Sequence, residues 1–491
     1  MNRPILRSAI VCGLLVASLM GRAHWLQFVD AAELQSDEEN RRLRIEAFSQ
    51  PRGDIIVGGK AITGSQETAS GDLRYKRSYQ DGALYAPVTG YFSQAHGATF
   101  LEGVEDDLLD GTDPRLRSSP TDWLIGQRQR GADIVTTVDP AAQRAAYEGL
   151  TALDDARGAV VALEPSTGRV LALASAPSYD PAEFAGATFA EGDVFERLDN
   201  APGKPLVNRA LRETYPPGST FKILTAAAAL EHGVLEDIDT RSDAPSPYRM
   251  PLSSSTIGSV VPDEQCEDVS MKTALQWSCN NVFLDAALET GPEKMRETAE
   301  KFGFNAEQFL PVRAGASLYP RQPDQPQTAL SGMGQGSVTS TPLQMAMVAA
   351  GIANDGRVMK PHLVDEIRAS DLTVIDKTEP EVLSEAVSAD TAAQVRQAME
   401  FTVTDGTGSP ARIDGVTVGG KPGTAQHGAD VRDERPYAWF VAYADGPDGE
   451  PAVAVAVFVD PTEMSVSRED IAGGRLAGPI AKSVMEAVLK R

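Results

Sequence analysis

Ser219 and Lys222 stand three positions apart in Tyr215-Pro-Pro-Gly-Ser219-Thr-Phe-Lys222, and Ile223-Leu-Thr-Ala-Ala-Ala-Ala-Leu230 follows at once. The Pro-Pro-Gly turn ends whatever precedes it, and the alanine-rich run is strongly helix-forming. Both side chains therefore share one face at a helix start. Unpaired N–H groups and partial positive charge gather there, which suits a serine that must become an alkoxide and hold an oxyanion. A lysine followed by apolar residues loses its proton more easily when buried and can act as a base. The quartet is a candidate Ser-x-x-Lys nucleophile. Alone it is weak, because most such quartets lie on ordinary surface helices.

Two further strings strengthen it. Ser278-x-Asn280 lies 59 residues on, in a helical region, and Lys421-Pro-Gly423-Thr424 rises on a strand. Each has a bland reading, as a helix cap or a surface turn; the three in this order point to one site. A serine hydroxyl needs a base within hydrogen-bond reach, and Lys222 can take its proton. Ser278 can relay a proton to a leaving amine. Asn280 can fix Lys222 and contact a substrate amide. Lys421 adds positive charge for an anionic substrate. The backbone N–H groups of Ser219 and Thr424 can form an oxyanion hole, on a strand that includes Gly423, and the Thr424 hydroxyl can hold a terminal carboxylate. The reaction class is acyl transfer from a peptide that ends in a free carboxylate.

The elements that must position these residues are readable in part. Asp139-Pro140 is an N-cap followed by proline at the first helical position, and the helix runs over 141–153. Residues 158–164 and 169–175 form a hairpin around Pro165-Ser-Thr-Gly168. Helices are expected over 271–289, 292–302, 341–353 and 389–399, strands over 416–421, 438–443 and 452–459, and a closing helix from Gly478-Pro479. The sum is an α+β domain, a mainly antiparallel sheet covered by helices. Upstream, Ile55-Ile-Val57 reads as a strand, and Tyr85–Val88 and Tyr91-Phe92 as further short β pieces between turns, so a small β-rich domain is expected there. Residues 32–50 are polar and charged and read as a stalk helix.

Composition narrows the function classes. The chain has 491 residues, enough for two or three domains, and a formal net charge of −24, which argues against a nucleic-acid partner. The five histidines are scattered and suggest no metal site, and no phosphate-cradling loop is present, so no cofactor is expected. Arg3 and Arg7 precede an apolar stretch, and Arg22 and Trp25 suit an interface. We expect an uncleaved signal anchor over 1–30 with its N-terminus in the cytoplasm; a cleaved signal peptide is the competing reading. Cys266 and Cys279 would then lie outside the cell, where a disulfide can form and persist; two unpaired buried thiols are the alternative.

With its three motifs in order, the chain resembles the penicillin-recognising serine transpeptidases. Arg52-Gly-Asp-Ile55, the run 158–168, Ala176-Pro-Ser-Tyr-Asp-Pro181, Asn208-Arg-Ala210 and Gly334-Gln-Gly336 with Thr341-Pro-Leu-Gln344 extend the likeness to class B penicillin-binding proteins. It is similar most of all to the actinobacterial penicillin-binding protein A type. The likeness is weakest over 60–130 and 236–265.

The resemblance implies a membrane-anchored D,D-transpeptidase with a β-lactamase-like catalytic domain over 151–491 and a non-catalytic pedestal over 31–150. Its substrates would be peptidoglycan stem peptides ending in D-Ala-D-Ala, cross-linked during growth or division. Its inhibitors would be β-lactam antibiotics. The pedestal would dock a membrane glycosyltransferase of the shape, elongation, division and sporulation type. One departure stands out: the family usually has Lys-Thr-Gly where this chain has Lys421-Pro422-Gly423, and a hydroxyl for the substrate carboxylate is lost. A serine β-lactamase and a non-catalytic β-lactam sensor are the rival readings. The anchor and the extra domain speak against the first; the very short cytoplasmic part and the intact motifs speak against the second.

Overall fold

The computed structural model describes residues 3–30, 47–69, 73–116, 130–185, 191–428 and 434–490. The chain divides into two compact units, Met1–Pro51 with Ser65–Lys76, and Arg52–Gly64 with Arg77–Arg491. Most of the expected stalk helix lies outside the described residues. In the first unit, one helix of 26 residues spans Arg3–Phe28. At 1.5 Å per residue it is about 39 Å long, enough for a bilayer core. Its apolar side chains are exposed along its length, Leu14 and Leu19 among them. The helix continues without a break through Arg22 and His24, where the apolar run is interrupted in sequence.

The second unit is built on a five-stranded antiparallel sheet in the order 418–425, 437–445, 451–460, 157–163, 170–176. Along Pro451–Asp460, Val453, Val455, Val457 and Val459 enter one core while Ala454, Ala456 and Phe458 enter the other. Period-two alternation thus feeds two apolar layers, and both faces are covered, which explains why the strands read as continuous apolar runs. The helices Pro140–Thr151 and Gly478–Leu489 pack on one face. The helices Lys222–Glu231 and Pro342–Ala353 pack on the other. Both expected caps form: Asp139 accepts from the Ala142 N–H at 2.8 Å and Thr341 from that of Gln344 at 3.1 Å.

A second five-stranded sheet has the order 374–377, 364–368, 133–136, 55–57, 60–61. Ile55–Val57 runs parallel to Asp133–Thr136, and the remaining pairs are antiparallel. Beside it lies a buried ionic network. Arg77 donates to Glu102 at 2.6 Å, to the Gly53 carbonyl at 2.8 Å and to Thr63 at 2.9 Å, while Arg52 pairs with Asp106 at 2.6 Å. Every one of these charges has an opposite partner, the condition under which burial is tolerated.

Two expectations fail locally. Tyr85–Val88 is not a β piece: it lies in the helix Gly82–Thr89, whose residues from Leu84 to Thr89 are all buried. Burial on every side removes the alternation that separates strand from helix. The helical region expected over 271–289 is two helices, Met271–Trp277 and Asn280–Thr290, broken where Ser278 adopts φ +60°.

Candidate active site

The turn before Ser219 is held from several sides. The Gly218 N–H donates to the Gly334 carbonyl at 2.9 Å, the Thr220 hydroxyl to the Pro217 carbonyl at 2.7 Å, and the Trp439 indole N–H to the Pro216 carbonyl at 3.0 Å. Gly218 has φ +54°, and a Cβ there would stand 2.9 Å from the Thr424 carbonyl oxygen and from the Ala425 Cβ. Only glycine fits both the conformation and the space. A single tight turn, Gly218–Phe221, then leads into the helix Lys222–Glu231, so Ser219 sits at the helix start as expected. Its side chain is half-buried and makes no hydrogen bond among the described residues.

Lys222 is fully buried. Its Nζ donates to the Ser278 carbonyl at 2.8 Å, approaches the Ser278 Oγ at 3.2 Å and donates to the Asn280 Oδ1 at 2.7 Å. The break at Ser278 explains this convergence. In the left-handed conformation a non-glycine residue is strained, and here it turns both carbonyl and hydroxyl onto one amine. Burial holds the Lys222 pKa well below that of a free lysine, and the charge of Lys421 lowers it further. A neutral amine has two N–H groups for the Ser278 carbonyl and the Asn280 Oδ1, and keeps a lone pair for a hydroxyl proton.

Lys421, Pro422, Gly423 and Thr424 lie on Val418–Ala425, the edge strand of the central sheet, where a proline is tolerated. Lys421 is fully buried, donates to the Pro422 carbonyl at 3.1 Å, and has its pKa pushed down by burial to about 7. A Cβ on Gly423 would meet Thr220 at 2.9 Å and the Pro217 carbonyl at 3.1 Å, so this glycine lets the third motif press against the nucleophile turn. Thr424 is exposed.

Lys222, Ser278 and Asn280 are thus directly bonded, and Gly423 and Thr424 abut the turn of Ser219. Cys266 and Cys279 form a disulfide, fully buried, with Cα atoms 5.5 Å apart. It anchors the segment between the two helices of the second motif. Three groups that hold the site were missed from sequence: the Trp439 indole, the Gly334 carbonyl, and the pair Gly258 and Ser259, which receive hydrogen bonds from Asn280. Gly334-Gln-Gly336 was visible as a string without a role, and a backbone carbonyl leaves no mark in a sequence.

Comparison with known proteins identifies the family. Residues 158–486 match the family described as "Penicillin binding protein transpeptidase domain". The chain belongs to that family. Residues 52–134 match the "Penicillin binding protein A dimerisation domain". Among family members, the chain is 39% identical to the peptidoglycan D,D-transpeptidase PbpA of Mycolicibacterium smegmatis over 100% of its own length and 99% of the relative's. The structure is similar to that of penicillin-binding protein A from M. tuberculosis as a ceftriaxone acyl-enzyme complex, with a TM-score of 0.83, 37% identity, and coverage of 91% of this chain and 100% of that one. The penicillin G acyl-enzyme complex of the same protein gives a TM-score of 0.81 at 38% identity over 90% and 100%.

Proposed function

We infer that this chain is a peptidoglycan D,D-transpeptidase that cross-links stem peptides through a serine acyl-enzyme and is acylated by β-lactams. The observation that carries the mechanism is the fully buried Lys222, whose pKa burial and the charge of Lys421 push well down, hydrogen-bonded to the second motif one helical turn from Ser219.

The geometry supports the following roles. Lys222 takes the Ser219 proton as Oγ attacks the carbonyl between the two terminal alanines of a donor ending in D-Ala-D-Ala. The N–H groups of Ser219 and Thr424 receive the developing oxyanion. Ser278, within reach of Lys222, passes a proton to the departing D-Ala amine. Lys421 and the Thr424 hydroxyl receive the terminal carboxylate. The amine of a second stem peptide then attacks the acyl-enzyme by the same steps in reverse, which forms the cross-link and frees Ser219.

The helix Arg3–Phe28 is long and apolar enough to be a membrane anchor. We place its N-terminus in the cytoplasm and the catalytic domain outside. The basic residues Arg3 and Arg7 support this orientation, and so does a disulfide, which persists in an oxidising compartment. The proposed division is an anchor over 1–30, a pedestal over 31–150 and a catalytic domain over 151–491. On this reading the pedestal docks a membrane glycosyltransferase.

The test is acyl transfer itself. Incubation with a peptide ending in D-Ala-D-Ala and a D-amino-acid acceptor should release D-Ala and yield the exchanged peptide. Turnover of penicillin without any exchanged peptide would mean a β-lactamase instead.

A further inference from the structure

Beside the second sheet lies a cleft of about 320 Å³, within the size range of ligand pockets. Its apolar lining includes Pro311, Pro361, Val364 and Ile367, and no residue of the three motifs borders it. The walls are tied to one another and to the central sheet. The Leu363 N–H donates to the Leu310 carbonyl at 2.9 Å, that of Lys360 to the Glu381 carbonyl at 2.8 Å, and that of His362 to the Gly168 carbonyl at 3.0 Å. Glu105 and Arg115, from the stretch proposed as the pedestal, complete the lining.

The lining carries a surplus of negative charge. Four carboxylates, Glu105, Asp376, Glu379 and Glu381, are set against the two cations Arg115 and Lys360. Arg115 pairs with Asp376 at 3.3 Å and with Asp113 at 2.9 Å, and Lys360 with Glu381 at 3.1 Å, so both cations are already neutralised. The side chains of Glu105 and Glu379 make no hydrogen bond or ion pair among the described residues. Burial lowers the pKa of His362, which also borders the cleft, so it adds no charge at neutral pH. Phe309 stands at the same cleft, on the short ribbon of Gln308-Phe309 with Arg313-Ala314, and is 54% exposed. An aromatic face attracts a cation, and unpaired carboxylates attract the same charge.

We propose that this cleft is a docking site for a peptide segment of a partner protein that carries a basic side chain next to an apolar one. The apolar side chain packs on the apolar lining and against Phe309, and the basic one meets Glu105 and Glu379. Charge selects the occupant: an acidic segment would bring its carboxylates to two that already lack partners. The site adds a binding function that does not depend on the acyl-transfer reading, and a segment seated there touches no reacting atom. It contacts two proposed domains at once, since Glu105 and Arg115 belong to the pedestal stretch and Phe309, Lys360 and Glu379 to the catalytic stretch.

Two probe peptides, titrated into the full chain in nonionic detergent, test this. Acetyl-Arg-Trp-Arg-amide should give a saturable isotherm by calorimetry and should slow backbone hydrogen exchange in 360–367 and 374–381. Acetyl-Glu-Trp-Glu-amide should do neither. Glu379→Lys and Phe309→Ala should each weaken the basic peptide about fivefold. Both side chains are exposed, so both variants should melt with the parent. Glu236→Lys makes the same change in charge at an exposed position outside the cleft and should leave the affinity within about twofold of the parent's, which separates the site from the negative charge of the whole chain. Absence of saturable binding, equal binding of the acidic peptide, slowed exchange only outside the two segments, or an equal loss in Glu236→Lys would overturn the proposal.

Discussion

Lys222 and Lys421 are both fully buried, and the charge on the second depresses the proton affinity of the first. The consequence for pH has a definite sign. Protonation of Lys222 removes the base, so acylation should fall on the acid side of its profile. Replacing Lys421 by Met removes the repelling charge, raises the Lys222 pKa and should move that acid limb to higher pH. A shift toward lower pH would mean that Lys421 does not act on Lys222 through its charge. Stability gives a second readout. Lys421 has a pKa of about 7 when folded and an ordinary, higher one when unfolded, so the unfolded chain binds more protons between the two values. Its contribution therefore rises with pH from about 7 toward 10, and the melting temperature of Lys421→Met should rise less than the parent's across that window. Pro422 is the other informative residue. It sits on the edge strand, so the fold does not need an N–H there. Pro422→Thr restores a hydroxyl beside the expected carboxylate position and should speed penicillin acylation by up to about tenfold with little change in melting temperature. Thr424→Ala should slow acylation more than any change at 422. Slower acylation or unfolding in Pro422→Thr would remove this account of the strand.

At the scale of elements, the disulfide is the most testable support. Cys266 and Cys279 are 13 residues apart in sequence. In the chain-entropy model a loop of that size contributes about 3 kcal/mol. Cys266→Ser with Cys279→Ser should lower the melting temperature and slow acylation, because Ser278 and Asn280 flank Cys279 on both sides. Acylation at the parent rate in the double variant would show that the strained turn at Ser278 holds without the bridge. The elements also show what a sequence can convey. The hairpin of Arg157–Leu163 and Val170–Ala176 was legible because two apolar runs enclose a turn-rich tetrapeptide. The caps at Asp139 and Thr341 were legible because the capping chemistry is local. The helix Gly82–Thr89 was not, since an element buried on every side shows no period, and its Tyr and Val residues favour strands. The break at Ser278 was not legible either: a serine with φ +60° is imposed by what surrounds it.

The whole molecule shows the same division between local and distant. The central sheet agrees with the expected α+β domain because its strands are long and apolar and fall into two sequence-local groups, 157–176 and 418–460, although the pairing that joins the groups, Pro451–Asp460 with Arg157–Leu163, is distant in sequence. The second sheet was invisible, since it pairs Asp133–Thr136 with Val364–Arg368, more than two hundred residues away. All three motifs were legible as residue types. What binds them to one another, the Trp439 indole, the Gly334 carbonyl and the pair Gly258 and Ser259, depends on backbone groups and tertiary approach, which a pattern of side chains does not record.

The central claim concerns one bond, and intact-protein and peptide mass spectrometry after exposure to penicillin tests it most directly. The account predicts a single penicilloyl adduct on the peptide that contains Ser219, and none on a folded Ser219→Ala chain whose melting temperature matches the parent. An adduct that persists in Ser219→Ala, or one that maps to another residue in the parent, would contradict it.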